Sequence, residues 1–230
     1  MKKKQLIGFH LVVISVLVSL LIAGCKKDGD DNDTDPKTVT DADGNVYNII
    51  SIGTQKWFKE NLKTTKLSDG TVIPLVTDNT EWRDLTTPGF CWFENNQASY
   101  KDLYGGYYNL FAVNTNKLCP VGWHVPTDAE WTVLNDYLGG QYVAGGKMKE
   151  EGSSHWMSPN TGATNESDFT ALPGGMRIWD GGFDYSKMFA YWWSSTESTL
   201  ELAWHRSIQH DWGNLNRGAP DKTCGLNIRC

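Results

Sequence analysis

Five cysteines and five histidines carry most of the reactive chemistry available to this 230-residue chain. A nucleophilic Ser or Cys needs a base within hydrogen-bond reach and an acid to orient that base. Ser194-Ser195-Thr196-Glu197 supplies hydroxyls, but no glycine elbow surrounds it and it fits a strand. His10 falls in an apolar leader, and His155 stands alone in a loop-like stretch. His124, between Trp123 and Val125, suits a packed or capping role better than a ligand role. His205 and His210 lie five residues apart around an expected hairpin, with Asp211 adjacent, and exposed polar residues explain them better than a metal site. Cys224 and Cys230 lack the close spacing of a zinc knuckle. These types offer no catalytic set and no metal set. Recognition chemistry is better represented, because residues 192–217 mix aromatic, amide and charged groups in one short stretch. The candidate ligand-binding residues are Trp204, His205, His210, Asp211, Trp212, Asn214, Asn216 and Arg217, with Arg206 among them in sequence. Trp192, Trp193 and Trp204 suit the core better than contact.

Such groups need elements to position them, and one helix start is plain. In Leu118-Cys119-Pro120-Val121-Gly122-Trp123-His124-Val125-Pro126-Thr127-Asp128-Ala129-Glu130-Trp131, Thr127 and Glu130 have capping-box spacing. Asp128 and Glu130 put negative charge at the positive end of the helix dipole. The helix is expected to run to about Leu138, with Trp131, Leu134 and Leu138 on one face and Gly139-Gly140 as its stop. Two strands are expected around Val39-Thr40-Asp41 and over residues 46–52, joined by Asp43-Gly44, and a third over residues 55–62. Phe90-Cys91-Trp92-Phe93 reads as a short aromatic strand ended by Asn95-Asn96, and residues 104–113 as a brief helix. Asp78-Asn79 marks a loop, Gly145-Gly146-Lys147-Met148-Lys149 a turn with a short element, and residues 152–168 a long loop. Three more strands are expected at residues 191–195, 203–208 and 226–230. With 11 Trp, 23 Gly and few helical runs, the chain reads as α+β: small antiparallel sheets, one or two helices, long loops, and a core holding most of the tryptophans.

The N-terminus reads as an address. Lys2-Lys3-Lys4 and the apolar run over residues 6–23 have the form of a secretion signal, near the lower length limit for a spanning helix. Leu21-Ile22-Ala23-Gly24-Cys25 resembles the lipobox of bacterial lipoproteins, which makes residues 1–24 a signal peptide and Cys25 the lipidation site. Lys26, where an Asp would retain the protein, favours the outer membrane. Residues 25–37 form an acidic, flexible tether similar to the surface-export signal of Bacteroidetes lipoproteins. Its Asp spacing lacks the Glu that would close an EF-hand. The expected location is therefore the outer membrane, exposed at the cell surface, with the membrane as partner through the lipid. Net charge is −6; without residues 1–24 it is −9, from 18 basic and 27 acidic groups. That balance argues against nucleic acid as a partner.

Residues 38–230 form one expected domain, and its motifs resemble the Fibrobacter succinogenes major paralogous domain family. They are Asp43-Gly44-Asn45-Val46-Tyr47, Ile52-Gly53-Thr54-Gln55-Lys56-Trp57, Glu60-Asn61-Leu62, Cys119-Pro120-Val121-Gly122-Trp123-His124-Val125-Pro126, Ala163-Thr164-Asn165-Glu166-Ser167, Ala171-Leu172-Pro173-Gly174-Gly175 and Trp192-Trp193-Ser194-Ser195-Thr196. The resemblance implies a C-type-lectin-like fold, in the branch shared with the formylglycine-generating enzyme. With Cys25 assigned, four cysteines remain in an exported chain, which favours disulfides in one of three pairings. The lectin-like fold implies Cys119 with Cys230, which leaves Cys91 with Cys224. Structural cysteines do not suit the oxidase chemistry of the related enzyme. Ser158-Pro159-Asn160 and Trp179-Asp180-Gly181 are imperfect echoes of a lectin calcium site, so no cofactor is expected beyond an optional structural calcium near Asn165, Glu166 and Asp168. Domains of this branch also serve as diversified targets of retroelements, with variation at the C-terminal end. The expected function is a non-enzymatic, lipid-anchored module that binds a glycan or partner protein through C-terminal loops, in one version a diversified receptor. Two other classes make different predictions. A structural or adhesive envelope component would co-purify with envelope partners, and a sulfatase-modifying-type oxidase would need free, reactive thiols.

Overall fold

Asp41 organises the first hairpin. Its carboxylate accepts from the backbone amides of Asp43 and Asn45, from Asn45 Nδ2 and from the Tyr47 hydroxyl. The turn is therefore closed by side-chain bonds of its own, and it joins β1 (Thr38–Thr40) to β2 (Val46–Ile52), as expected. Gly53, at φ 63°, turns the chain into β3 (Gln55–Phe58), which pairs antiparallel with β2 from Ile52↔Gln55 to Ile49↔Phe58. The computed structural model describes residues 36–230, which form a compact unit. The signal peptide, Cys25 and most of the tether lie outside the described residues.

The middle of the chain holds three short helices; polar punctuation hid the first two, and the third is the C-terminal part of the brief helix expected over residues 104–113, where Tyr107–Tyr108 forms a strand instead. Asp78 caps α1 (Asn79–Arg83) by accepting from the Glu81 amide. After β4 (Phe90–Cys91), Asn96 caps α2 (Gln97–Tyr104) through the Ser99 amide. After β5 (Tyr107–Tyr108), Asn109 caps α3 (Leu110–Val113) through the Ala112 amide. Asp and Asn serve turns and N-caps equally well, and helices this short show no apolar period. The expected helix is present as α4 (Asp128–Tyr137), with both halves of the capping box made and Leu138 at its end. What read as a turn at Gly145-Gly146 lies inside α5 (Gln141–Met148). A Cβ at Gly145 would stand 2.1 Å from the Asn214 carbonyl oxygen, and one at Gly146 would stand 2.4 Å from that of Gly162. The glycines allow backbone to lie against the helix, at the expense of helix propensity.

β6 (Met176–Arg177) and β7 (Phe183–Asp184) form a two-stranded ribbon, as do β4 and β5. β8 (Phe189–Glu197), β9 (Ala203–Gln209) and β10 (Asn216–Gly218) form an antiparallel sheet in the order β10-β9-β8. The expected last strand is instead a thread of single bridges. Gly225, Leu226 and Asn227 pair with Arg177, Tyr108 and Trp192, and the carbonyls of Ile228 and Cys230 accept from the amides of Leu62 and Phe58. One extended segment thus stitches both ends of the domain together, and the Cys119–Cys230 disulfide fastens it to the approach to α4. Trp57, Trp131, Phe169 and Trp192 pack at centroid distances of 4.8–6.1 Å as one aromatic cluster. Trp82, Trp92, Trp156 and Trp193 are buried as well, so the core holds most of the tryptophans, as expected.

Three buried cations hold the loops around this core. The Lys149 ammonium donates to the carbonyls of Thr161, Gln209, His210 and Trp212 at 2.8–3.2 Å. Arg177 reaches the carbonyls of Val76, Thr77, Asp78 and Gly181 and lies over the Trp82 ring. Arg229 reaches the carbonyls of Phe58, Lys59 and Phe169 and lies over the Phe169 ring. Buried carbonyls without donors are costly, so each cation offsets its own desolvation by satisfying several of them at once. Replacing Lys149 by Met will lower the unfolding free energy by about 3 kcal/mol in urea titration, because the carbonyls of Thr161, Gln209 and Trp212 lose the ammonium and that of His210 keeps only the Thr161 amide. The double change Cys119→Ala and Cys230→Ala opens a loop spanning 111 residues and will cost about 4–5 kcal/mol. An unchanged denaturation midpoint in either variant would remove that contact from the account.

Candidate functional site

The turn between β9 and β10 carries the exposed part of the recognition stretch. Its backbone is fixed from three sides. Leu215 is buried and donates its amide to the Gln141 carbonyl, while the Gly213 carbonyl accepts from Gly146. The Lys149 ammonium takes the carbonyls of Gln209, His210 and Trp212. The Thr161 amide adds a bond to the His210 carbonyl at 2.7 Å. On this backbone Trp212 keeps 52% of its surface exposed. Tyr142, at the start of α5, is 77% exposed, and its carbonyl oxygen faces Gly213, where a Cβ would come within 3.1 Å of it.

The eight candidate residues fall into two groups. At the base of the hairpin, Arg217 makes a two-pronged ion pair with Asp128 at 2.8 and 2.9 Å, and its guanidinium lies 3.3 Å from the Trp204 ring centroid. Arg206 adds a third bond to the same carboxylate. Asp128 opens α4, so this cluster ties β9 and β10 to a helix N-terminus where the dipole already favours a carboxylate. Trp204 is half-buried under that guanidinium, between core and surface. His205 packs beside the Tyr191 ring and against Gly218, and burial pushes its pKa down to about 4. At the tip, His210 is buried and acts through its carbonyl, and burial pushes the Lys149 ammonium down to about 8 while the Asp211 charge pulls the other way. Trp212 is exposed, and Asn214 and Asn216 are half-exposed. Tyr142 was missed because nothing local links the start of α5 to residues 212–214; only the glycine contacts do.

The remaining cysteines require a correction. Cys91 and Cys224 are free thiols, each buried, and do not pair. They sit in different apolar clusters, Cys91 with Trp82, Phe93 and Tyr107, and Cys224 with Met176, Leu226 and Ile228. An even count implies pairing only where the fold brings the sulfurs together, and here each packs as a small hydrophobe. Burial pushes both thiols up to about 12. Of the candidate calcium ligands, Glu166 pairs with Lys147, Asp168 pairs with Lys59, and the Asn165 side chain bonds Thr170. Among the described residues no group of three or more His, Cys, Asp or Glu is placed to hold a metal.

Sequence reading also missed a cavity of about 310 Å³ at the other end of the disulfide-linked segment. Gln55, Lys56 and Trp57 from β3 line it with Trp123 and His124 from the approach to α4 and Glu130 from that helix. His124 is exposed and bonds the Glu130 carboxylate at 2.9 and 3.0 Å, which extends the capping box outward. The two stretches bear individual motifs, but no spacing within either reveals that they meet.

An α+β domain with a cross-linked frame and a pinned, partly aromatic loop is what these features define. The family model of the Fibrobacter succinogenes major domain matches residues 50–230, and the chain belongs to that family. Comparisons with curated proteins and with solved structures returned no match.

Two outcomes follow from the buried groups. His205 is held neutral, so its contribution is fully present above the ordinary value near 6.5 and is lost as pH falls toward about 4. Thermal or urea unfolding across that window will show a loss on the order of 2 kcal/mol that His205→Phe abolishes. Folded protein comprising residues 36–230 will leave a thiol reagent unconsumed, and unfolding without reductant will release two thiols; release of none would restore the Cys91–Cys224 pairing.

Proposed function

We propose that this protein is a lipid-anchored, surface-exposed, non-enzymatic module that binds a glycan or a partner protein through its C-terminal loop. The observation that carries this reading is Trp212, a large aromatic left 52% exposed on a turn whose backbone six hydrogen bonds hold still, with the exposed Tyr142 on the helix that the turn lies against. Exposed Trp and Tyr give a partner large amphipathic area, and a pinned loop loses little conformational freedom on binding. Asn214 and Asn216 add amide donors and acceptors beside them. A C-type-lectin-like arrangement agrees with the disulfide that joins the start of the main helix to the last segment, and with the pairing of N-terminal and C-terminal chain through Phe58 and Cys230.

Attachment is proposed through Cys25 in the lipobox-like Leu21-Ile22-Ala23-Gly24-Cys25, on the outer membrane and facing outward across the acidic tether. No helix among the described residues is long and apolar enough to cross a membrane. The non-enzymatic reading rests on Cys91 and Cys224, since an oxidase of the formylglycine type works through reactive thiols and burial raises both of these to about 12.

Trp212→Ala and Asn214→Ala will each weaken the ligand found on glycan and protein arrays by about tenfold or more, with thermal stability unchanged. Undiminished binding of every such ligand would refute the loop as the site. Cys25→Ser will move the protein from the membrane fraction to the soluble fraction and abolish labelling with a fatty-acid analogue.

A further inference from the structure

Among the described residues, no carboxylate pairs with the buried Arg229 guanidinium, which is 2% exposed. Its Nε donates to Asn61 Oδ1, and its Nη1 to the carbonyls of Phe58, Lys59 and Phe169. A guanidinium has five N–H donors and no acceptor, so two donors on Nη2 remain. Nη2 meets no acceptor among the described residues, yet it is not sealed from solvent as Arg206 Nε is. Arg229 lines a cavity of about 210 Å³, and that is the space left to those two donors. Burial pushes the guanidinium down to about 9, with the Glu60 charge acting against it, as befits a cation without a bonded counter-charge.

The floor of this cavity is fixed in advance. Asn61 Oδ1 accepts from Arg229 Nε at 3.1 Å and from the Trp192 indole at 2.8 Å, while Asn61 Nδ2 donates to the Tyr104 carbonyl at 2.8 Å. Gly105, at φ 76°, lets the chain run close by: a Cβ there would stand 2.7 Å from the Leu62 carbonyl oxygen. A ligand meeting this guanidinium has little to order before it binds.

The rest of the lining narrows the ligand. Glu60 and Asp102 both border the cavity, so a dianion meets two carboxylates, whereas a single negative charge can sit on Arg229. Glu60 is committed to the Asn48 amide and side chain, and Asp102 to Lys63 at 2.7 Å. Lys59 is held by Asp168. Asp102 and Asp168 are 83% and 60% exposed, and ion pairs so exposed contribute little, so neither lysine is counted on here. Leu103 and Leu172, both half-buried, give apolar walls that a bare inorganic anion would not use. The volume is below that of drug-sized sites and suits a few carbons or one ring.

We infer that this cavity binds a small monocarboxylate, its anionic end on Arg229 Nη2 and its apolar end against Leu103 and Leu172. Charge-assisted bonds from arginine to a carboxylate are among the stronger polar contacts available to so small a ligand. The site shares no residue with the C-terminal loop and stands whether or not that loop binds anything.

The test titrates the full-length protein in detergent at neutral pH with butyrate, benzoate and cyclohexanecarboxylate, with butyramide and benzamide, and with inorganic phosphate. Binding is followed through the indole N–H resonances in nitrogen–proton correlation spectra. Trp192 is the reporter, because its indole and Arg229 share Asn61 Oδ1. At least one carboxylate will bind with a dissociation constant of about millimolar, as the ligand efficiency of so small a molecule allows, and will shift the Trp192 resonance. Its amide and phosphate will each bind at least tenfold more weakly, a comparison that needs no variant to fold. Leu103→Trp, which fills the cavity, will weaken the carboxylate at least tenfold while Trp212→Ala leaves it unchanged, and thermal melts will confirm that both are folded. Four results would overturn the inference. No carboxylate shifts Trp192, which means water alone satisfies Nη2; the amide binds as well as its acid, which removes the charge from the account; phosphate binds as well, which makes this a general anion site; or folded Leu103→Trp keeps full affinity, which puts the ligand elsewhere.

Discussion

The Lys149 ammonium gathers carbonyls from residue 161 and from residues 209–212, and in doing so joins the long central loop to the β9–β10 turn. Arg177 does the same between residues 76–78 and the ribbon at residue 181, and Arg229 between residues 58–59 and 169. A chain with so little regular structure leaves many carbonyls outside ladders and helices, and burying them unpaired would exceed what the small sheets contribute. Cations with several donors solve this with few residues. Their aromatic neighbours, Trp156, Trp82 and Phe169, add a π face to each.

The C-terminal segment depends on this arrangement and completes it. It bridges to Arg177, Tyr108 and Trp192, hands carbonyls to Leu62 and Phe58, and ends in the disulfide to Cys119. Arg229 lies within it. Residues from β3, β5, β6 and β8 are therefore positioned by contact with one short thread. The β9–β10 turn and the cavity beside the capping box are two exposed edges of a single cross-linked frame.

Some of this was legible in the sequence. The capping box at Thr127 and Glu130, the Asp43-Gly44 hairpin and the strands around Trp192 and Trp204 all follow from short-range rules, because their causes lie within a few residues. The family motifs implied Cys119–Cys230 correctly. Failures came where the cause is distant. Gly145-Gly146 looks like a helix breaker until Asn214 and Gly162 are placed against it. Lys149, Arg177 and Arg229 look like solvated charges until their carbonyl partners are known. Cys91 and Cys224 looked like a pair because counting replaces geometry when geometry is absent. At the candidate surface, chain order picked out Trp212 and Asn214, but it also picked out His205, which packs on Tyr191, and Arg217, whose guanidinium is held by Asp128.

One property of the loop's fastenings reaches further than stability. Lys149 and Gly146 hold the turn through main-chain carbonyls, those of Gln209, His210, Trp212 and Gly213, and Gly145 leaves room for the carbonyl of Asn214. Every residue type owns that carbonyl. The mounting is therefore indifferent to which side chains it displays at positions 212 and 214, much as a socket accepts tools that differ only beyond the shank. A substitution at either position leaves these fastenings in place.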